Sequence, residues 1–223
     1  MADAQFPLAT SCYIEGEARS RALTSLRSLI ENDIGELDVG FELTVEDAVP
    51  LVSLTGRDAT VARNVLRETW GERTVPDAGE LGVGTLESWD ADGFVLDAGS
   101  KVYIPADELG LGPGDPSQIR TRFGLVQHLP LRFVSGNPAR LADAERDRLY
   151  EWTRGSGRVN VNSATRAEVR ATVNRAGHAQ DIVTVERLGL LEQSIICRPE
   201  TDPPGLLASI GGYLQSELLC VVP

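Results

Sequence analysis

Lysine is almost missing from this chain. Of 21 basic residues only Lys101 is a lysine; the rest are arginines, set against 33 carboxylates for a net charge of −12. A long lysine stem exposes apolar surface that concentrated salt drives to associate. Carboxylates instead hold water and hydrated cations, and the Debye length of about 3 Å at 1 M salt suppresses the self-repulsion of so acidic a surface. This composition points to a halophilic cytoplasm, since ordinary acidity accounts for the net charge but not for the missing lysine.

Other shortages exclude whole classes of function. No apolar run approaches the roughly 20 residues that span a bilayer. The opening "MADAQFPLATSCYIEG" has neither a basic region nor a sustained apolar core, so no signal peptide is expected and the cytoplasm is the expected location. The three cysteines, Cys12, Cys197 and Cys220, are far apart, odd in number and set in apolar runs, which favours buried thiols over a disulfide or a metal site. The two histidines, His128 and His178, have no cysteine or second histidine nearby, so no metal and no cofactor is expected. Catalytic signatures are missing too. "GVGTLES" lacks the Gly-Lys-Ser/Thr ending of a phosphate loop, no Gly-x-Ser-x-Gly elbow occurs, and "AGHAQD" reads as a helix-stop loop. The expected function is therefore binding rather than catalysis.

What is present is an ordinary globular balance, 42% hydrophobic and 24% charged, too apolar for a disordered chain. Three segments follow from its periodicity. Residues 1–76 read as strand, helix, strand, strand, helix, with Ala22, Leu26 and Ile30 at helical spacing and "LDVGFELTV" alternating. Residues 80–136 lose the helical period: "GVGTLESW", "GFVLDAG", "KVYIPA" and "LPLRFV" are short strands, the first pairs separated by Asp-Gly and Gly-Ser turns. "LGLGPGDPSQIRTRFG" reads as a loop with one helical turn. This suggests a small barrel of the OB type. Residues 141–223 begin with an amphipathic linker helix, "ADAERDRLYEWTR". They continue as strand, helix, strand, strand, helix, strand, with a Thr165/Glu168 capping box and a hairpin through Leu188-Gly189. That order fits a split βαβ sandwich. The expected fold is α+β: two small ferredoxin-like sandwiches of βαββα type flanking an OB-like β-barrel.

The charge is not evenly spread. Between Ile119 and Arg198 there are 13 arginines against 8 carboxylates, a local +5. An acidic protein needs such an asymmetry if one face must meet phosphate. Arg120, Arg122 and Arg132 belong to the barrel; Arg166 and Arg170 lie one helical turn apart, away from Val169 and Val173. Arginine suits phosphate because its planar fork binds in two places. The competing account pairs these arginines with the protein's own surplus carboxylates.

Gly84, the turn into "GFVLDAG", and "VYIPADEL" give the central segment its resemblance to the S-one domain, the RNA-binding barrel found repeated in a ribosomal protein. The resemblance implies that Phe94 and Tyr103 stack bases, each worth about 1–3 kcal/mol. Lys101, two residues from Tyr103, shares its strand face. The segment departs from that family in having aliphatics where a second aromatic would stand, and in the acidic Asp90, Asp92 and Asp97. Over nearly its whole length, in "TVARNVLRE", "VGTLESWD", "FGLVQHLPL", "NSATRAEVR", "ERLGLLEQSIIC" and "TDPPGLL", the chain resembles a haloarchaeal version of an uncharacterised archaeal family, a domain of unknown function. The resemblance implies an archaeal cytoplasm and brings no catalytic residue. The resulting expectation is a protein that binds RNA or a ribonucleoprotein surface, in translation or RNA processing, through Phe94, Lys101, Tyr103, Arg120, Arg122, Arg132, Arg166 and Arg170. The alternative is a protein–protein adaptor without nucleic acid.

Overall fold

The computed structural model describes residues 5–223. The chain forms three antiparallel sheets, each with its own helices, in an α+β arrangement.

The first unit contains β1 (Phe6–Pro7), α1 (Gly16–Ile34), β2 (Val39–Glu46), β3 (Val49–Gly56) and α2 (Ala59–Trp70), with sheet order β1-β3-β2. Helix α1 buries Ala22, Leu26, Ile30 and Ile34, spaced four apart along one stripe, and α2 buries Ala62, Leu66 and Trp70 at the same spacing. The β2–β3 turn is two residues long, and both, Asp47 (φ 47°) and Ala48 (φ 68°), are left-handed. That is the twist a two-residue hairpin demands. Beyond β1 the sheet continues as a rudiment. Leu8 makes a single antiparallel bridge to Glu72, flanked by Ala9 N–H to Gly71 O (3.2 Å) and Arg73 N–H to Pro7 O (2.9 Å).

The central unit contains β4 (Leu81–Trp89), β5 (Gly93–Asp97), β6 (Lys101–Pro105), α3 (Ala106–Leu109), α4 (Pro116–Phe123), β7 (Pro130–Val134), β8 (Arg140–Leu141) and α5 (Asp143–Trp152). Its sheet, order β6-β5-β4-β7-β8, curls into a half-barrel whose edge strands β6 and β8 approach each other. Asp90 Oδ1 accepts from the backbone N–H of Asp92 and Gly93, which makes the Asp-Gly turn. The stretch read as a loop with one helical turn contains the eight-residue α4. It has a full capping box between Asp115 and Gln118, Pro116 at its first position, and Gly124 left-handed at its end. Helix α5, expected as a linker, packs Leu149 and Trp152 into the half-barrel's core.

The last unit contains β9 (Arg158–Val161), α6 (Arg166–Arg175), β10 (Ile182–Arg187), β11 (Gln193–Cys197), α7 (Pro203–Gly211) and β12 (Leu218–Val221), with sheet order β10-β11-β9-β12. The Thr165/Glu168 capping box opens α6.

The units share cores and polar joints. Leu190 and Leu191, from the β10–β11 loop, are buried in the first unit's core, and Val221 of β12 is buried in the central one. Asn160 donates to Gly124 O (2.8 Å) and Asn162 to Gln127 O (3.2 Å), while Glu217 accepts from Gln127 N–H (2.7 Å) and pairs with Arg120. Among the described residues no helix is long and apolar enough to cross a membrane.

Candidate functional site

Where the three units meet they leave an open cleft of roughly 670 Å³. Thr10 and Gly71 of the first unit, Val83 and Pro130 of the half-barrel, and Leu188 and Gly189 of the β10–β11 loop contribute to its lining. Five arginines also line it: Arg132 from β7, Arg148 from α5, Arg158 from β9, Arg166 from α6 and Arg187 from β10. All five come from the charge-reversed segment 119–198.

Each guanidinium is held differently. Arg148 and Arg132 share Glu145, whose side chain is 0% exposed; Arg148 Nε donates to Oε1 (3.1 Å) and Arg132 Nη1 lies 3.5 Å from Oε2. A buried carboxylate needs such partners, because an uncompensated charge out of water is costly. Arg158 lies over the Trp152 ring (4.5 Å to the centroid), donates to Ser194 Oγ (3.2 Å) and reaches Glu186 at 3.5 Å. Burial lowers its pKa; Glu186 opposes this shift and Arg148 adds to it. Arg166 donates through Nε to Val185 O at 2.6 Å. Arg187 lies over the Trp70 ring (5.3 Å), and Trp70 is itself fixed by donating from Nε1 to Asp33 Oδ2 (3.0 Å). The Arg187 pKa is lowered by burial, raised by Asp33, and lowered again by the like charge of Arg166. Arginine is not deprotonated in proteins, so the lining carries five positive charges. Among the described residues neither Arg166 nor Arg187 has a carboxylate oxygen within 4.0 Å. The lining also carries Glu68, Glu151 and Glu186.

Behind the cleft's edge lies a buried polar joint. Glu192, at the base of the β10–β11 loop, is fully buried, and burial pushes its carboxyl up to about 8. It accepts from Tyr13 Oη (2.7 Å), and Tyr13 Oη accepts in turn from Ser163 N–H (2.9 Å). The Tyr13 hydroxyl is held well above its ordinary range by burial and by Glu192. The His128 ring lies 4.0 Å from the Tyr13 ring, centroid to centroid, and His128 (φ 67°) and Ser163 (φ 58°) are both left-handed non-glycines. Such backbone persists only where the surroundings over-determine it. Gly189 is required here: a Cβ at that position would overlap Glu192 Oε2.

Two of the eight residues singled out from the sequence, Arg132 and Arg166, come together in the cleft. Phe94 is 0% exposed and forms part of the half-barrel core, where no base can reach its ring. Lys101 and Tyr103 (44% exposed) lie on the outer face of β6. The Tyr103 hydroxyl is pushed up by lost solvation and by the charges of Asp90, Asp92 and Asp107, so its surroundings are acidic. Arg120 is 6% exposed, stacks on Trp89 at 3.7 Å and pairs with Glu217. Arg122 donates to the carbonyls of Leu111 and Pro113, tying α4 to the preceding loop. Arg170 is exposed on α6, outside the cleft. The sequence reading passed over Arg148, Arg187, Trp70 and Trp152. Charge reversal signals the two arginines; nothing local signals that Trp70, from another unit, meets Arg187.

Three family models match in succession: the DUF2110 N-terminal domain over residues 5–75, the central domain over 76–153 and the C-terminal domain over 156–222. No curated protein and no solved structure gives a significant match. The chain therefore belongs to the DUF2110 family across essentially its whole length.

Proposed function

We propose that the protein binds RNA, or the RNA-bearing surface of a ribonucleoprotein, with the arginine cleft as its contact. In this reading the host is a halophilic archaeal cytoplasm, the half-barrel is of OB type, and the flanking units are ferredoxin-like sandwiches. The observation that carries the reading is convergence: five arginines from five different elements face one hollow in a protein of net charge −12. Arg132, Arg148 and Arg158 have structural partners in Glu145, Glu186 and Trp152, but Arg166 and Arg187 have no carboxylate within 4.0 Å among the described residues to account for their place there. Molar salt removes most of the counterion-release contribution to nucleic-acid binding. Bidentate arginine contacts on rigid supports retain their value there, because their strength lies in geometry. The rival adaptor reading draws on exposed apolar side chains, but Val61, Leu81, Val183 and Tyr213 are spread over α2, β4, β10 and the turn after α7.

The test is binding of a labelled single-stranded RNA in molar KCl. The double variant Arg166→Glu, Arg187→Glu is expected to lose at least about tenfold in affinity, the size of one charge-assisted contact. Tyr103→Ala is expected to change little. Equal retention of RNA by the parent and the double variant overturns the cleft as the contact.

A further inference from the structure

Resting on the RNA-binding reading, we infer that the corner formed by Arg166 and Arg187 takes a terminal phosphomonoester, so that the cleft reads a phosphorylated RNA end rather than a running backbone.

Arg132 and Arg148 share the one negative charge of Glu145, and Arg158 pairs with Glu186. Arg166 is held to Val185 O, two residues before Arg187 on β10, and among the described residues neither guanidinium has a carboxylate oxygen within 4.0 Å, although the more distant Asp33 also acts on Arg187. A phosphodiester inside a strand brings one negative charge. A phosphomonoester brings about −1.5 to −2 at neutral pH, with three acceptor oxygens. The second fits the corner better, since it offers two guanidinium forks a third oxygen and the larger charge.

The corner is also preorganised. The Nε of Arg166 is occupied by Val185 O, which fixes the guanidinium plane and leaves both Nη groups for a ligand. The plane of Arg187 rests on Trp70, whose indole is held by Asp33. Two forks set before the ligand arrives lose little rotamer freedom on binding.

Finally, the cleft disfavours a strand passing through. Its volume, roughly 670 Å³, falls within the roughly 300–1,000 Å³ of pockets for small ligands. Glu68, Glu151 and Glu186 line the same space and would face the phosphates of any backbone threaded across it. A chain end can place one phosphate at the corner while the rest of the strand leaves through the open side.

The experiment compares one RNA oligonucleotide in three forms, with 5′-phosphate, with 3′-phosphate and with hydroxyls at both ends, in molar KCl with the full chain. Adenosine monophosphate and inorganic phosphate serve as competitors. The expected result is that one phosphorylated form binds at least about tenfold tighter than the dephosphorylated form. Arg166→Gln and Arg187→Gln should each erase that difference. Arg170→Gln, on the same helix outside the cleft, should preserve it. Thermal melting of each variant separates loss of the corner from loss of fold. Equal binding of all three forms, still dependent on Arg166 and Arg187, overturns end recognition and leaves RNA binding standing. Failure of every RNA to bind overturns both. If adenosine monophosphate binds as tightly as the phosphorylated RNA, the phosphomonoester assignment holds and the RNA reading falls.

Discussion

The first and last units run through the same order of elements and place their strands in the same order. β1-α1-β2-β3-α2 parallels β9-α6-β10-β11-α7, with β3 between β1 and β2 as β11 lies between β9 and β10. They differ in how they finish. The last unit adds β12 beside β9, paired over four residues. The first offers only the Leu8–Glu72 bridge at the equivalent edge. They differ also at the central hairpin: Asp47–Ala48 is a two-residue turn, whereas five residues, 188–192, connect β10 to β11. That longer loop supplies Leu190 and Leu191 to the first unit's core, Gly189 to the cleft, and Glu192 to Tyr13. One topology thus gives a unit complete in itself and a unit completed by its twin's loop, and the candidate site lies at that joint.

The largest expected effect on this asymmetry is from Leu191→Ala. It removes a fully buried side chain and should cost about 2–5 kcal/mol. Hydrogen exchange should show protection lost in α1 and α2 well before α6 and α7. Uniform loss across both units would mean that the first does not depend on the loop.

A smaller, pH-dependent effect is expected at the polar joint. The Glu192 carboxyl is raised from 4.5 to about 8, so the folded state holds a proton that the unfolded state has released between those values. Its contribution to stability is complete below about pH 4.5, falls as pH rises by up to about 1.4 kcal/mol per unit, and is gone above about pH 8. Glu192→Gln keeps an acceptor for Tyr13 and cannot titrate. The difference between parent and variant in urea unfolding should therefore slope with pH across that window. A flat difference would contradict the protonated, buried carboxyl.

The smallest effect is at the short hairpin. Ala48 at φ 68° bears left-handed strain that glycine does not. Ala48→Gly should relieve about 1–2 kcal/mol of strain and lose about 0.5–1 kcal/mol to glycine's entropy in the unfolded chain, a net gain of about 0.5–1 kcal/mol that raises Tm by about 1–4 °C. An unchanged or lower Tm would place the turn's cost elsewhere.

Much of this architecture is written locally. Period-four burial in α1 and α2, alternation in β4 to β7 and the Thr165/Glu168 box are read within a dozen residues. Helix α4 was legible too, since Asp115-Pro116-Ser117-Gln118 spells its capping box, but the surrounding glycines obscured it. The packing of α5 against the half-barrel was not legible, because amphipathicity does not name a partner. At the cleft, charge reversal marked the segment whose arginines line it, and periodicity could not choose among them. Strand register explains the miss at Phe94. It lies opposite Ile104, and Tyr103 lies opposite Val95, so the two aromatic rings project from opposite faces of the sheet and cannot share a stacking surface.

The shared cores bear on synthesis at the ribosome. The first unit's core is not complete until residue 191 has emerged, and the half-barrel's core not until residue 221 has. A nascent chain of this protein therefore keeps hydrophobic surface from two incomplete units unsealed until translation is nearly over, the kind of surface that favours aggregation over folding.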